Sequence, residues 1–255
     1  MVVILILTLL LLIALDFLVS IFRLRLSGIK AGYKLLSQDI GYISRNGCSF
    51  KKSTGLSKEV LIVGDSTAVG SGANPDKTIG GRLAEKYNVN VTNLGVSGAK
   101  TKDIINQIKS VSDRKFFLII LHAGNNDVVR LTNLKELESD VALLFDAAKS
   151  IGEKVVVFRG GNFGSIPLFP YVLRFYFGKR AREVGSIFKR IADEKGVYYV
   201  EKFMRSRDDI FLKNPHHFYC WDLLHLNDNG YAVWFDFLIQ KMEEFDIELP
   251  VITKI

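Results

Sequence analysis

The chain has 255 residues, a formal net charge of +7, and a composition that is 48% hydrophobic and 24% charged. These proportions are typical of a globular protein with one sizeable core. The positive charge raises the possibility of nucleic-acid binding, but no helix-turn-helix, zinc-finger or base-stacking signature accompanies it. Two cysteines, Cys48 and Cys220, are too few for a disulfide framework, and neither lies in a CxxC motif. A single disulfide between them is an open alternative.

The N-terminus is a long apolar segment. Between residues 2 and 22 only Thr8, Asp16 and Ser20 interrupt the apolar run. As a helix this run would be ~32 Å long, close to the ~30 Å hydrocarbon core of a bilayer. No basic residue precedes it and no convincing cleavage site follows it. We therefore expect residues 1–22 to form a retained membrane helix, with a cleaved signal peptide and a docked core helix as alternatives.

Asp16 opposes this interpretation, because a carboxylate at the centre of a membrane helix costs roughly 2.5–3.5 kcal/mol. The cost is smaller near the C-terminal end of the run, where Asp16 lies. The flank that follows is basic and contains Arg23, Arg25, Lys30 and Lys34. The positive-inside rule then favours a cytoplasmic location for the rest of the chain, although the side of the membrane stays open. The same residues suit anionic lipid headgroups, which accounts for the net charge without nucleic acid.

Residues 23–57 are predicted to be a basic, glycine-containing connector, and residues 58–255 a single domain. Short apolar runs predict strands at 60–63, 89–94, 116–121, 154–158 and 197–200. Helical patterns alternate with these runs at 78–87, 101–110, 134–150, 171–194 and 228–244. Alternating strands and helices, with strands apolar on both faces, predict a three-layer α/β/α sandwich around a five-stranded parallel sheet.

Residues suited to nucleophilic catalysis follow the predicted strands. Ser66 comes directly after the first strand, Gly95 after the second, and Asn126 after the third. In a parallel sheet these carboxyl ends form the ligand crevice. Near the end of the chain stand Asp222 and His225. A serine hydroxyl becomes an effective nucleophile when a base takes its proton and a third group orients that base, so these residue types predict a serine hydrolase.

These residues fall into four blocks that resemble the SGNH/GDSL hydrolase family. The blocks occur in the expected order and are Gly64-Asp65-Ser66, then Gly95, then Gly124-Asn125-Asn126-Asp127 for GxND, then Asp222-Leu223-Leu224-His225 for DxxH. The resemblance covers roughly residues 58–245 and implies a flavodoxin-like sheet. Thr67 departs from the family's eponymous motif, which has leucine there.

Carried over residue by residue, the resemblance implies that Ser66 is the nucleophile, His225 the base and Asp222 the carboxylate that orients it. Gly95 and Asn126 would form the oxyanion hole together with the Ser66 N–H. The implied reaction is hydrolysis of a carboxylic ester through an acyl-enzyme intermediate, without a metal or organic cofactor. The substrate would be a lipid, an acylated sugar or a small ester.

Two other functions fit the same residues. The site could transfer its acyl group to a sugar or lipid hydroxyl, as an O-acyltransferase does, or the domain could be an inactive, membrane-tethered binding module. A metal site is not expected at His216 and His217, because adjacent side chains diverge. A phosphate loop is not expected either, since the glycines near Ser66 lack the GxGxxG spacing.

The densest aromatic stretch, residues 166–177, follows the fourth predicted strand and should lie near the rim of the crevice. It is either a helix packed on the sheet or an apolar wall that binds acyl chains and touches the bilayer. In the second case Phe175 and Phe177 would contact substrate. Arg159, at the end of the same strand, would either contact substrate as well or make a structural hydrogen bond.

Overall fold

Five parallel strands form the centre of the structure, a computed structural model that describes residues 1–31, 47–51, 58–160, 162–202 and 208–251. The strands are β1 (Lys58–Gly64), β2 (Val89–Asn93), β3 (Phe116–His122), β4 (Gly152–Gly160) and β5 (Tyr198–Lys202). Their order is β2-β1-β3-β4-β5, and every neighbouring pair is parallel. This is the flavodoxin-like order, so the predicted three-layer fold is confirmed.

Helices cover both faces of the sheet. In the described part of the chain they are α1 (Val2–Ala31), α2 (Ser66–Val69), α3 (Ile79–Lys86), α4 (Thr101–Lys109), α5 (Asn125–Val129), α6 (Leu134–Ile151), α7 (Tyr171–Lys195), α8 (Ile210–Lys213), α9 (Pro215–Phe218) and α10 (Asp228–Glu244). Alternate residues of a strand point to opposite faces, so Val60 of β1 packs with α3 and α10 while Leu61 packs with α4, α6 and α7. Both residues are fully buried.

The predicted connector differs from the structure at both of its described ends. Helix α1 continues nine residues past residue 22, to Ala31. Residues 47–51 lie against the outer edge of β2, where Phe50 exchanges two backbone hydrogen bonds with Val91 at 2.8 and 2.7 Å. The remainder of the connector, residues 32–46 and 52–57, falls outside the described residues. The edge of β2 is therefore partly covered by chain that precedes the domain.

One face of α1 is polar and packs against the domain that contains the sheet. Asp16, Ser20, Arg23 and Ser27 recur at helical spacing, and Ser20 and Ser27 are each 5% exposed. The Asp16 carboxylate accepts a hydrogen bond of 3.1 Å from the N–H of Val172 in the first turn of α7. The Asp16 carboxylate is thus satisfied at a helix N-terminus, which favours negative charge.

The other faces of α1 are apolar and exposed. The segment Val2–Ile29 of α1 is long and apolar enough to cross a membrane, and no other helix among the described residues is.

Two adjacent leucines of α6 provide a test of the core. Leu144 is fully buried, whereas Leu143 is 57% exposed. Leu144→Ala should lower the free energy of unfolding by about 2–5 kcal/mol, because it removes buried apolar surface and leaves a cavity. The same substitution at Leu143 has the same effect on helix propensity, so the difference between the two variants reports burial. Leu143→Ala should change the free energy of unfolding by no more than about 0.5 kcal/mol. Chemical denaturation of the full chain in a nonionic detergent measures both, and equal losses would contradict the burial assigned to this helix.

Candidate active site

The nucleophile turn, so called because it contains the predicted nucleophile Ser66, joins β1 to α2. Gly64 ends the strand with a φ of +148°, and a Cβ at this position would lie 2.2 Å from the His122 carbonyl oxygen, so only glycine fits. Asp65 is the N-cap of α2, and its Oδ1 accepts a 2.8 Å hydrogen bond from the Thr67 N–H. Ser66 is consequently the first residue of a helix that starts at the carboxyl end of β1, and its side chain is half-buried.

The loop after β2 holds α2 in place through Asn93. The Asn93 side-chain amide donates to the Ala68 carbonyl at 2.7 Å, and its Oδ1 accepts from the Gly95 N–H at 3.0 Å. A Cβ on Gly95 would lie 2.8 Å from the Ala68 Cβ. Gly95, predicted as an oxyanion donor, therefore gives its N–H to Asn93 and allows the loop to pack closely on the nucleophile helix.

Gly98 is a second glycine in this loop that the sequence analysis missed. It adopts a φ of +82° and precedes α4. Its neighbour Ala99 accepts a 3.0 Å hydrogen bond from the Asn126 side-chain amide, so Asn126 and Gly98 are held together. Among the described residues, neither the Gly98 N–H nor the Ser66 N–H has a hydrogen-bond partner. The available signal was the Ser-Gly pair just before a helix, three residues after Gly95.

Asp127 fixes the loop that carries Asn126. Its carboxylate is fully buried and accepts hydrogen bonds from the Thr101 N–H at 2.9 Å, the Thr101 hydroxyl at 2.7 Å and the Thr132 hydroxyl at 2.8 Å. A buried carboxylate is tolerated only when such donors satisfy it. Asp127, the last residue of the GxND block, therefore links α4 to the residues that follow α5 through hydrogen bonds.

Asp222 and His225 form a hydrogen-bonded pair. His225 Nδ1 lies 2.6 Å from Asp222 Oδ2, and Asp222 Oδ1 accepts from the His225 N–H at 2.9 Å. The Cys220 thiol donates to the same Oδ1 at 2.9 Å. Burial raises the pKa of the Asp222 carboxyl, but the hydrogen bonds and charge of His225, together with the Cys220 thiol, outweigh burial and hold that pKa below its ordinary value. Asp222 is accordingly an ionised partner for His225.

The loop containing this pair is tight. Leu223 adopts a left-handed conformation, with a φ of +59°, which is uncommon for a residue other than glycine. The side chain of Leu223 is buried, and its carbonyl accepts a 3.1 Å hydrogen bond from the Leu168 N–H. A strained backbone conformation of this kind persists only where the surrounding contacts enforce it, and such positions are common at functional sites.

The pair lies beside the nucleophile turn. A Cβ on Gly72, six residues after Ser66, would lie 3.1 Å from the His225 Cβ. The described residues contain no hydrogen bond between the Ser66 hydroxyl and His225 Nε2. The structure therefore brings the two segments together without a direct bond between base and nucleophile.

The three residues suggested for substrate contact lie in different surroundings. Phe175 is 79% exposed on α7, whereas Phe177 is partly buried and packs against Phe169 with ring centroids 5.0 Å apart. Arg159 is 3% exposed, lies over the Phe188 ring and approaches Glu201 at 3.8 Å. Of the three, Phe175 has the exposure that a substrate contact requires.

The histidines outside the Asp222–His225 pair have surroundings other than a metal site. Across the described ranges, no group of three His, Cys, Asp or Glu side chains is placed to hold a metal ion. His217 packs edge-on against Phe218 instead, with ring centroids 4.7 Å apart. Burial lowers the pKa of His122 to about 4, so this histidine is neutral near pH 7, and its Nδ1 lies 3.1 Å from the Phe158 carbonyl oxygen.

Comparison with known proteins agrees with this architecture. The structure resembles that of a G-D-S-L family lipolytic protein from Veillonella parvula, with 18% identity, a TM-score of 0.58, and coverage of 71% of this chain and 96% of that one. It also resembles an esterase from a Pseudoalteromonas species, at 15% identity, a TM-score of 0.56, and 75% and 100% coverage. An acetylxylan esterase from Geobacillus stearothermophilus gives 18% identity, a TM-score of 0.55, and 80% and 100% coverage. No match was found among curated proteins.

The fold and the four blocks define a carboxylic ester hydrolase of the SGNH type. The sequence profile of the GDSL-like lipase/acylhydrolase family matches residues 62–233, which include both the nucleophile turn and the Asp222–His225 pair. The chain belongs to this family.

Asp65 gives the protein a pH-dependent stability. Burial raises the pKa of its carboxyl from 3.8 to about 6. Between about pH 4 and pH 6 the folded protein retains a proton that the unfolded chain has released, so stability falls as the pH rises through this window. Asp65→Asn keeps a side chain that can cap α2 and removes the titration. The advantage of the variant over the wild type should grow by about 2–2.5 kcal/mol from pH 4 to pH 7.

Chemical denaturation at several pH values measures this difference. Asp113→Asn, at an exposed position, is the matched control and should leave the pH dependence of stability unchanged. Parallel curves for the wild type and Asp65→Asn would contradict the raised pKa.

Proposed function

We propose that the protein hydrolyses carboxylic esters through an acyl-enzyme intermediate formed on Ser66. His225 takes the proton of the Ser66 hydroxyl as its oxygen attacks the ester carbonyl, and then gives that proton to the leaving alcohol. Water repeats the sequence and releases the acid. The observation that carries the proposal is the 2.6 Å contact between Asp222 and His225 beside the nucleophile turn.

Asp222 orients the base in this mechanism. Its contact with His225 Nδ1 leaves Nε2 available to the serine, and the lowered pKa of Asp222 keeps the carboxylate charged when the imidazolium forms. The Ser66–His225 hydrogen bond would form in the substrate complex, since catalytic hydrogen bonds commonly tighten there.

The oxyanion would be stabilised by the Ser66 N–H, the Gly98 N–H and the side-chain amide of Asn126. Gly98 replaces Gly95 in this role, because the Gly95 N–H donates to Asn93. The Asn126 amide gives one hydrogen to the Ala99 carbonyl, which fixes its orientation and leaves the second hydrogen for substrate. Donors that are fixed before the reaction need no reorganisation when charge develops.

We also propose that α1 is retained as a membrane anchor. Its exposed apolar faces support insertion. Its polar face supports retention, because Asp16 accepts a hydrogen bond from α7 and both Ser20 and Ser27 are buried. Asp16 then binds the first turn of α7 instead of facing lipid alone, which removes the main objection to a membrane segment. The substrate class that fits this location best is an acyl ester presented at a membrane surface, near the exposed Phe175.

Replacing the nucleophile tests the reaction. Ser66→Ala should reduce ester hydrolysis to the level of uncatalysed water attack plus the residual effect of binding, a loss of at least about 10³-fold in kcat. Ser186→Ala, at an exposed position on α7, is the matched control and should retain wild-type turnover. Unchanged hydrolysis in Ser66→Ala would overturn the assignment. Adding an acceptor alcohol and analysing the products separates hydrolysis from acyl transfer.

Asn126→Ala tests the oxyanion hole. Loss of one donor should lower kcat by about 10²–10³-fold with little change in KM, because the donor acts mainly on the transition state. Thermal unfolding of the variant controls for folding. A change confined to KM would show that Asn126 binds the ground state and would contradict its assigned role.

Membrane anchorage predicts the behaviour of the full chain in cell membranes. The protein should stay in the pellet after alkaline carbonate extraction and appear there at full length, whereas residues 58–255 expressed alone should be released. Recovery of a shortened chain in the soluble fraction would indicate a cleaved signal peptide instead.

A further inference from the structure

A pocket of about 270 Å³ lies between the end of α1 and the catalytic domain. Its polar lining comes from Arg23 and Ser27 of α1, Tyr171 and Arg174 of α7, and His216 of α9, and the remainder of its lining is leucine and proline. None of the described residues that line it is acidic. The pocket therefore combines an apolar wall with cationic and neutral hydrogen-bond donors.

Arg174 gives the pocket a fixed positive charge. The residue is 6% exposed, and its Nε and Nη2 donate to the carbonyls of Phe169 at 2.7 Å and Pro167 at 2.9 Å. Among the described residues its Nη1 has no hydrogen-bond partner, and no carboxylate forms an ion pair with the guanidinium. A guanidinium held by two main-chain oxygens, with a donor left over, is preorganised to bind an anion.

Arg23 adds a second cation at the same place. Both guanidinium groups lie over the Tyr171 ring, with Arg174 at 4.6 Å and Arg23 at 5.5 Å from its centroid. The hydrogen bond and charge of Arg23 lower the pKa of Tyr171. Two like charges near one ring repel each other, and an anion between them would relieve that repulsion.

The carboxylate on this face of α1, which also interacts electrostatically with Arg174, neutralises only one of the two positive charges. Asp16 accepts a hydrogen bond from the Val172 N–H and lies seven residues before Arg23, about 10 Å along the helix. Asp16 therefore stabilises the start of α7 and leaves the two arginines with a net positive charge.

The position of the pocket along α1 indicates where the anion comes from. Arg23 is the first residue after the apolar run of residues 2–22, the level at which lipid phosphates would lie if α1 spans the bilayer. The first turns of α7 carry exposed aromatic side chains, with Tyr171 59%, Phe175 79% and Tyr176 49% exposed, and the Val172 N–H in the same segment binds Asp16. Aromatic side chains of this kind are typical of the membrane interface.

We propose that Arg23 and Arg174 bind the phosphate of an anionic phospholipid in this pocket. Leu223 also lines the pocket, and it lies between Asp222 and His225 in the catalytic loop. A lipid bound in the pocket would therefore contact that loop. The proposal rests on the proposed membrane anchorage. It does not depend on ester hydrolysis, because lipid binding can be measured without turnover.

Native mass spectrometry of the full chain in nonionic detergent tests this site, with dioleoylphosphatidylglycerol and dioleoylphosphatidylcholine as probes. The wild type should retain one phosphatidylglycerol and no phosphatidylcholine. Arg23→Gln should weaken phosphatidylglycerol binding about tenfold, the effect of losing one charge-assisted contact. Arg25→Gln, with an exposed side chain on the same helix, is the matched control and should bind as the wild type does.

Equal weakening in the two variants would show general attraction to basic residues and would overturn the proposal, as would equal retention of the two lipids. Arg174→Gln provides a second variant, used with thermal unfolding to confirm folding, and should also lose binding. Inorganic phosphate serves as the competitor. If phosphate alone displaces phosphatidylglycerol at equal concentration, the site binds a free anion and the lipid assignment fails.

Discussion

The position of β1 between β2 and β3 is the constraint on which the site depends. Parallel registers that pair Ile62 with Asn93 and Gly64 with His122 bring the three carboxyl ends to one edge of the sheet. The chain leaves β1 toward one neighbour and later returns to the other, which opens a crevice at this edge. Ser66, the loop that contains Gly98, and Asn126 lie at that crevice because the strand order places them there.

Buried polar groups then fix the loops with more precision than the sheet provides. Asn93 links Gly95 to the nucleophile helix, and Asp127 links α4 to the end of α5. Each removal would leave donors or acceptors unsatisfied in the interior, at a cost of about 1–3 kcal/mol per group. Asp65 carries a related cost, because burial raises the pKa of its carboxyl and makes ionisation near neutral pH unfavourable. Polar contacts thus hold the site in place. Burying these polar groups costs free energy, which the apolar layers on both sides of the sheet must offset.

Much of this could be predicted from the sequence. Buried strands are apolar on both faces and the helices are periodic, so the fold follows from local patterns, and the predicted 228–244 helix has the observed bounds. The roles of neighbouring glycines could not be separated in this way. The serine before Gly98 marks that glycine in the sequence, but the position of the Asn93 side chain is needed to show that the Gly95 N–H is already bonded.

Asp16 shows the same limit. In the sequence it is a carboxylate within an apolar run, and nothing local indicates that a helix 156 residues later presents an N–H to it. Arg159 was likewise ambiguous at the end of its strand, since its burial over Phe188 depends on packing between distant elements. Tertiary contacts of this kind connect α1, the start of α7 and the loop that contains Asp222 and His225.

Covalent trapping shows whether Ser66 is the nucleophile. The full chain would be treated with a fluorophosphonate, its intact mass measured, and the modified residue located by peptide mapping. A single adduct is expected on Ser66; it should be absent from Ser66→Ala and should form much more slowly in His225→Ala. An adduct on another residue, or none in a protein that hydrolyses esters, would contradict the assignment of Ser66.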